Sequence, residues 1–239
     1  MQEAKLTVKL LSYTSDPERT VVAAIRQCYS SLSGKDLWEK VTEDQKERLI
    51  RQIISSGHTS TLEHASFTFS IEGVSRALTH QLVRHRIASY SQKSQRYVKE
   101  GGFEYILPPT IKKDEKASQI YLAQLSKIQE DYNKLLETGI PAEDARMLLP
   151  NACETKIVVT MNVRSLFNFF EERLCNRAQW EIRKMAGVMY KEVSKVAPNI
   201  FKYAGPTCVT EKICWQGKLH CGKPDKDKSI ELRERGAGL

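Results

Sequence analysis

The segment from residue 65 to residue 71 alternates apolar and hydroxyl-bearing side chains, in the order Ala-Ser-Phe-Thr-Phe-Ser-Ile. Successive side chains of a strand point to opposite faces, so this segment predicts a half-buried strand. Weaker strand patterns occur near residues 5–13 and 156–161, and segments of helical periodicity separate the three. We therefore predict an α+β fold, in which a small twisted antiparallel sheet is flanked by helices in a single domain.

Helix start and stop signals lie between these strands. The run Ser15-Asp16-Pro17-Glu18 supplies a cap, a first-turn proline and an acidic first turn, which predict a helix to about Ser31. Thr42 and Gln45 have capping-box spacing, and Gly57 is placed to end the helix that follows them. Apolar stripes predict further helices over residues 74–83, 112–136, 162–177 and 182–196.

The charge balance favours anionic partners. The chain has 239 residues, with 37 basic and 29 acidic side chains and a net charge of +8. Nucleic acid, nucleotides, folate carboxylates and anionic membranes all remain open on charge alone. The N-terminus lacks the pattern of a signal peptide, and no apolar run approaches membrane-spanning length. We therefore expect a cytoplasmic protein with no membrane partner, whose six cysteines stay reduced.

The stretch from Arg84 to Tyr97 is unusually rich in hydrogen-bond donors. It contains three arginines, a histidine, a lysine, two glutamines, three serines and two tyrosines, with only two aliphatic residues. Guanidinium groups suit phosphate, and amides and hydroxyls suit the edges of a planar base. The stretch follows a predicted helix and continues as a polar loop. It is either a solvated basic face or a binding loop.

Several segments resemble one enzyme family. Arg84-His85-Arg86, seven residues and then Ser94 resemble the signature of flavin-dependent thymidylate synthases, and Arg96-Tyr97 extends it. The segments that begin at Gly57, Pro141 and Asn162 also resemble this family, and the resemblance covers about residues 5–203. It implies reductive methylation of dUMP to dTMP, with 5,10-methylenetetrahydrofolate as carbon donor and NADPH-reduced FAD as hydride source. It also implies a homotetramer with sites shared between subunits and no nucleic-acid partner.

The same resemblance implies roles for individual residues. The implied FAD-binding residues are His58, Ser60, Arg84, His85, Arg86, Gln92, Asn162, Arg164 and Asn168. The implied dUMP-binding residues are Gln81, Arg84, Gln92, Ser94, Gln95, Arg96, Arg146 and Arg173. Arg173 is the implied catalytic residue, because a guanidinium at the pyrimidine edge stabilises the negative charge that develops when N3 loses its proton.

Two positions depart from the family pattern. Gln92 stands where some members have glutamate, which changes the local charge but keeps hydrogen bonding. Arg177 stands where some members have histidine, and it is not in the predicted site. No cysteine sits where an activated nucleophile is expected, and Ser94 has no adjacent general base. We therefore expect Ser94 to bind phosphate.

The sequence also offers weaker metal-site patterns. His58, Glu63 and His64 have irregular spacing. Cys208, Cys214 and Cys221 with His220 lack the C-x-x-C signature, so we predict no metal site there. We assign residues 1–204 to the synthase domain, and residues 205–239 to a basic cysteine-containing tail with an ordered turn and a mobile end.

Two other function classes are compatible with the residues. A non-enzymatic RNA- or DNA-binding module would explain the positive charge and the arginine-serine-tyrosine loop. A nucleotide-binding regulatory protein would keep the pocket without turnover. A flavin that is bound to the protein and loses its colour with NADPH would distinguish the synthase from both of these alternatives.

Overall fold

The structure of the chain is a computed structural model that describes residues 1–222. The end of the expected tail, residues 223–239, lies outside the described residues. The prediction of an α+β fold in a single domain is confirmed, since one antiparallel sheet is flanked by helices. Its four strands, in spatial order β1-β2-β4-β3, are β1 (Thr7–Tyr13), β2 (Ser66–Ser75), β3 (Ala88–Gln92) and β4 (Glu154–Asn162).

Strand β3 is the strand that the sequence patterns did not predict. The segment was predicted as a polar loop, because it is short and carries no large apolar alternation. Beside β3, the Lys93 backbone N–H donates to the Lys156 carbonyl at 2.9 Å. β3 lies at the edge of the sheet, so its strand character comes from backbone pairing with β4 and needs no apolar face.

The helices occupy the segments between the strands, with small differences from the prediction. The α-helices are α1 (Pro17–Gln27), α2 (Gly34–Glu39), α3 (Glu43–Ser55), α4 (Arg76–Leu82), α5 (Pro109–Lys112), α6 (Glu115–Glu137), α7 (Ala142–Ala145), α8 (Val163–Arg173), α9 (Trp180–Val196), α10 (Pro198–Phe201) and α11 (Thr207–Thr210). The 3₁₀ helices are Thr59–His64, Arg146–Leu148 and Gly217–Leu219. The sequence patterns did not predict the short helices α2, α5, α10 and α11 either.

The predicted caps are confirmed. The Asp16 side chain accepts from the Arg19 backbone N–H at the start of α1. Thr42 and Gln45 form the expected capping box on α3, and Gly57 follows that helix with φ +73°. These local signals depend on short-range hydrogen bonds, which is why the sequence shows them directly.

The helix predicted to carry both Arg173 and Arg177 is shorter than expected. Helix α8 ends at Arg173, so the predicted extension of this helix to residue 177 is wrong, and Arg177 lies outside it. The Gln179 side chain accepts from the backbone N–H groups of Glu181 and Ile182, which starts α9. An N-cap residue has non-helical backbone, so the chain must leave α8 before Gln179.

The described residues form two compact units. Unit 1 comprises residues 1–9, 70–84 and 89–159, and Phe103, Leu125 and Cys153 form a buried cluster in it. Unit 2 comprises residues 10–69, 85–88 and 160–222. In its core the Phe67 and Phe201 rings meet edge to face, with centroids 5.4 Å apart, and Phe170 also packs against Phe201.

A buried ion cluster in unit 1 supports the start of the Ser94 loop. The Lys93 ammonium lies 3.0 Å from the Glu100 carboxylate and 3.3 Å from that of Glu154. Burial alone lowers the pKa of Lys93, but the two carboxylates outweigh it and raise that pKa above its ordinary value. Glu154 also accepts from the Gly73 backbone N–H at 3.0 Å, which fixes its carboxylate in place.

Within residues 1–222, no helix has both the length and the apolar character needed to cross a lipid bilayer.

Candidate functional site

A cavity of about 190 Å³ in unit 2 gathers four of the residues implied to bind flavin. Its lining residues are Glu63, Arg86, Ile87, Asn162, Arg164, Ser165 and Asn168. The predicted members are Arg86, Asn162, Arg164 and Asn168. Two guanidinium groups and two amides in one concavity suit an anionic or hydrogen-bonding ligand.

The junction between β4 and α8 places three of these four side chains. Asn162 is the last residue of β4 and caps α8, and its side-chain oxygen accepts from the Ser165 backbone N–H at 2.8 Å. Its oxygen is therefore engaged in capping, and its amide nitrogen is the donor that Asn162 offers a ligand. Arg164 and Asn168 lie four residues apart on α8, which puts them on one helix face.

His85 is buried next to this cavity and holds Arg173. The Arg173 Nε–H donates to His85 Nε2 at 2.8 Å, and the imidazole packs edge to face on Phe169. Nε2 is an acceptor here, so the neutral imidazole carries its proton on Nδ1. The Asn168 side chain is also hydrogen-bonded to His85. A chain of contacts thus runs from Asn168, in the cavity wall, through His85 to Arg173.

Burial and the neighbouring Arg173 charge lower the pKa of His85 below its ordinary value of 6.5, against the opposing effects of Glu172 and Asn168. A lowered histidine pKa means that the folded state binds fewer protons than the unfolded state. Stability is therefore full above about pH 6.5 and falls as pH drops below it.

We expect His85→Gln to remove this pH dependence. A glutamine oxygen can still accept from Arg173 but does not titrate. The melting temperature of the wild-type protein should therefore fall more steeply between pH 7 and pH 5 than that of the variant. Parallel melting curves across this range would contradict the assignment of the neutral imidazole.

Arg173 also lines a second cavity in unit 2, of about 320 Å³. Its other lining residues are Glu171, Glu172, Cys175, Arg177, Ala178, Pro206, Thr207, Cys208, Cys214, Trp215 and Gln216. The Arg173 side chain is 19% exposed, and its Nη2 lies 3.6 Å from the Glu172 carboxylate. The guanidinium is thus oriented through Nε while part of it remains accessible.

In unit 1, the side chains of Arg96 and Arg146 both contact Glu143, and Ser94 contacts the backbone of Arg96. The Arg96 guanidinium pairs with the Glu143 carboxylate at 2.9 Å, and Arg146 Nε–H donates to the Glu143 carbonyl at 3.0 Å. The Ser94 hydroxyl accepts from the Arg96 backbone N–H at 3.2 Å. Guanidinium groups and hydroxyls are side-chain types that bind phosphate, and here two arginines share one neighbour while a hydroxyl is bonded to the backbone of one of them.

The glutamines of the predicted dUMP set differ in their surroundings. The Gln92 amide nitrogen donates to the hydroxyls of Thr79 and Thr155, at 3.1 and 3.2 Å. Gln95 is buried, with its amide nitrogen 3.5 Å from the Cys153 sulfur. Gln92 is therefore held firmly at the end of β3, whereas Gln95 packs inside unit 1.

The remaining predicted residues lie outside these contacts. Arg84 is exposed just beyond α4, and its backbone N–H donates to the Gln81 carbonyl. His58 and Ser60 are exposed at the start of the first 3₁₀ helix and do not line the 190 Å³ cavity.

Sequence reasoning missed two acidic residues that orient the arginines. Glu63 lines the 190 Å³ cavity and pairs with Arg164, and Glu143 pairs with Arg96. Both stand inside the family-like segments that begin at Gly57 and Pro141, so the sequence does carry a signal for them.

Four cysteines line a third cavity in unit 2, of about 130 Å³: Cys175, Cys208, Cys214 and Cys221. Burial raises the pKa of the Cys208 thiol, and the other three thiols raise it further. His220 is not part of this lining, and its Nδ1 accepts from the Gly222 backbone N–H. In the described part of the chain, no group of three or more His, Cys, Asp or Glu side chains is placed to hold a metal ion.

Comparison with known proteins assigns the family. The family model described as thymidylate synthase complementing protein matches residues 9–199, which contain every predicted site residue. The chain belongs to this family. Proteins named flavin-dependent thymidylate synthase are similar over nearly the whole chain. The one from Clostridium tetani is 48% identical over 94% of this chain and 96% of its own.

Two other relatives agree with this result. The flavin-dependent thymidylate synthase of Geobacter sulfurreducens is 49% identical over 94% of this chain and 97% of its own. That of Pyrococcus horikoshii is 46% identical over 95% of this chain and 98% of its own. The family prediction from the sequence motifs is therefore confirmed, and none of these matches favours an RNA- or DNA-binding module.

Proposed function

We propose that this chain is an enzyme that methylates dUMP reductively to dTMP. The carbon comes from 5,10-methylenetetrahydrofolate, the hydride from NADPH-reduced FAD, and tetrahydrofolate is released. The observation that carries the proposal is the 190 Å³ cavity, where Arg86 meets Asn162, Arg164 and Asn168 in a chain of this family. A cytoplasmic location, with no nucleic-acid or membrane partner, fits an enzyme of nucleotide biosynthesis.

The donors in this cavity fit part of a flavin nucleotide. Arg86 and Arg164 suit its phosphates, and the amides of Asn162 and Asn168 suit polar edges of its ring or sugar. Pockets for drug-sized ligands measure about 300–1,000 Å³, so a cavity of about 190 Å³ holds only part of FAD. We assign the remaining contacts with FAD to His58, Ser60, Arg84, His85 and Gln92. Bound FAD would supply a hydride once NADPH has reduced it.

We assign the nucleotide phosphate to Ser94, Arg96 and Arg146. The two arginines share the neighbour Glu143, and the Ser94 hydroxyl is bonded to the Arg96 backbone. Gln81, Arg84, Gln92 and Gln95 complete the dUMP set. The fixed amide of Gln92 contributes orientation, which lowers the entropy cost of the reaction.

Arg173 is the catalytic residue of the proposal. Its guanidinium stabilises the negative charge on the pyrimidine as N3 loses its proton, and electron density then rises at carbon 5. His85 is a positioning residue that accepts from Arg173 Nε. The buried Cys153 cannot act as a nucleophile, because burial and then the Glu100 charge raise its pKa to about 12.

We expect Arg96→Ala to raise KM for dUMP more than it lowers kcat. A hydrogen bond to a charged group contributes about 1.5–3 kcal/mol, which corresponds to roughly a 10- to 100-fold change in KM. Steady-state kinetics with varied dUMP measure this. Arg48→Ala, which removes an exposed arginine from α3, is the matched control. An unchanged KM for Arg96→Ala would contradict the phosphate assignment.

We propose that the active form is a homotetramer whose sites are shared between subunits. Residues 1–204 form the synthase domain and residues 205–239 the basic tail. Monomers separated by size-exclusion chromatography should then be nearly inactive. A fully active monomer would refute shared sites.

Flavin content tests the proposed function directly. The purified protein, incubated with FAD and desalted, should be yellow, and the colour should bleach with NADPH in the absence of oxygen. Asn168→Ala and Arg164→Ala should lower the retained flavin. A colourless protein that instead binds oligonucleotides in a salt-sensitive way would support the RNA- or DNA-binding alternative.

A further inference from the structure

The four cysteines of the 130 Å³ cavity come from two separate parts of unit 2. Cys175 follows α8, whereas Cys208, Cys214 and Cys221 lie within residues 206–222. The proposed synthase activity uses none of these sulfurs. Cys28 and Cys153, the other two cysteines, do not line the cavity. Four of the six cysteines in the chain thus line one small cavity. Packing of apolar side chains alone would not require cysteine at all four positions.

We propose that Cys175, Cys208, Cys214 and Cys221 bind one thiolate-preferring divalent metal ion of the zinc class. Four sulfurs are the ligand set of a structural tetrahedral zinc site. Cys175 lines this cavity and His220 does not, so we take Cys175 as the fourth ligand in place of the His220 of the sequence pattern. Spacing alone could not show this, since Cys175 is distant in sequence from the other three.

The charge around the cavity supports an ion with four thiolates. On binding, each thiol releases its proton to solvent, so a divalent ion with four thiolates has a net charge of −2. Arg177 lines the same cavity and supplies a compensating positive charge. The Asn176 side-chain amide nitrogen lies 3.7 Å from the Cys221 sulfur, where it can donate to a thiolate.

Metal binding requires the sulfurs to move inward. Zinc–sulfur bonds are about 2.3 Å long, and the described residues contain no group of three or more His, Cys, Asp or Glu side chains placed to hold a metal ion. Cys214 and Cys221 lie outside the helices and strands, so no helical or sheet hydrogen bonds fix the backbone at these two ligands. The bound ion would join residues 208–221 to Cys175, two residues after Arg173. The bound ion would therefore cross-link the start of the tail to the segment that follows α8.

Metal uptake by the full-length reduced protein tests this inference. The protein is treated with a chelator and a phosphine reductant, and Zn²⁺ is titrated against a chromophoric competitor. We expect one tightly bound Zn²⁺ per chain. Cys208→Ser and Cys214→Ser should each lower the affinity at least tenfold, because each removes one thiolate. Cys28→Ser, which changes an exposed cysteine outside the cavity, should bind as the wild type does.

Cobalt binding by the unmodified protein is a second test, and it does not depend on whether the variants fold. Co²⁺ added to the chelator-treated protein should give thiolate-to-metal charge-transfer absorption and the intense visible bands of tetrahedral cobalt. Zn²⁺ should then displace the colour. Absence of these bands, weak non-stoichiometric uptake, or uptake that survives Cys208→Ser unchanged would each overturn the proposal. These readouts do not depend on synthase activity.

Discussion

Replacing Arg173 with lysine should lower kcat by about 10²- to 10³-fold, the effect of removing one donor that stabilises transition-state charge. Lysine keeps the positive charge but lacks the planar fork of N–H groups. One ammonium cannot both donate to His85 and present a fork to the pyrimidine edge. Single-turnover and steady-state dTMP formation measure the change, and flavin content should stay near that of the wild type.

Arg19→Lys provides a matched control for this substitution. Arg19 also donates through Nε, to Asp16 at 2.9 Å, and its side chain is 26% exposed against 19% for Arg173. Its replacement should leave kcat unchanged. Equal losses in the two variants would show that Arg173→Lys acts through folding. An unchanged kcat for Arg173→Lys would remove Arg173 from the chemistry.

Replacing Gly73 with alanine should destabilise the protein by about 3–5 kcal/mol. Gly73 has φ +68°, and an added Cβ would lie 2.0 Å from the Lys5 carbonyl oxygen and 2.4 Å from its carbonyl carbon. Backbone atoms cannot move aside as a flexible side chain can. The shift would also disturb the Gly73 N–H bond to Glu154, which pairs with Lys93. Thermal and urea unfolding measure the loss.

Gly57→Ala is a control that distinguishes the cost of the left-handed backbone conformation from the cost of the steric clash with Lys5. Gly57 has φ +73°, but an added Cβ would meet no described atom within 4 Å. We expect a loss of only about 1 kcal/mol, from the left-handed conformation alone. If the two variants are equally stable, the contact between Gly73 and the Lys5 backbone is not as described.

Much of the fold could be read from local patterns. The alternation at residues 66–71 and the caps at Asp16 and Thr42 depend on neighbours in sequence, so they predict β2 and two helix starts. Strand β3 could not be predicted in this way, because its pairing partner β4 is distant in sequence. The end of α8 was also missed, since the competing cap at Gln179 is a subtle signal.

The sequence predicted which residues belong to the candidate site, but it did not predict the contacts between them. The motifs named Arg86, Asn162, Arg164 and Asn168, and the structure brings them to one cavity. The buried position of His85 and its bond to Arg173 could not be seen in sequence, because they link residues far apart in the chain. The convergence of Cys175 on the tail cysteines was invisible for the same reason.

The most direct test of the central claim is tritium release from dUMP labelled at carbon 5. Methylation at that carbon displaces its hydrogen, so turnover places tritium in water. We expect tritium release that matches dTMP formation and requires FAD, NADPH and 5,10-methylenetetrahydrofolate together. A flavin-loaded, correctly assembled protein that releases no tritium with all three present would contradict the central claim.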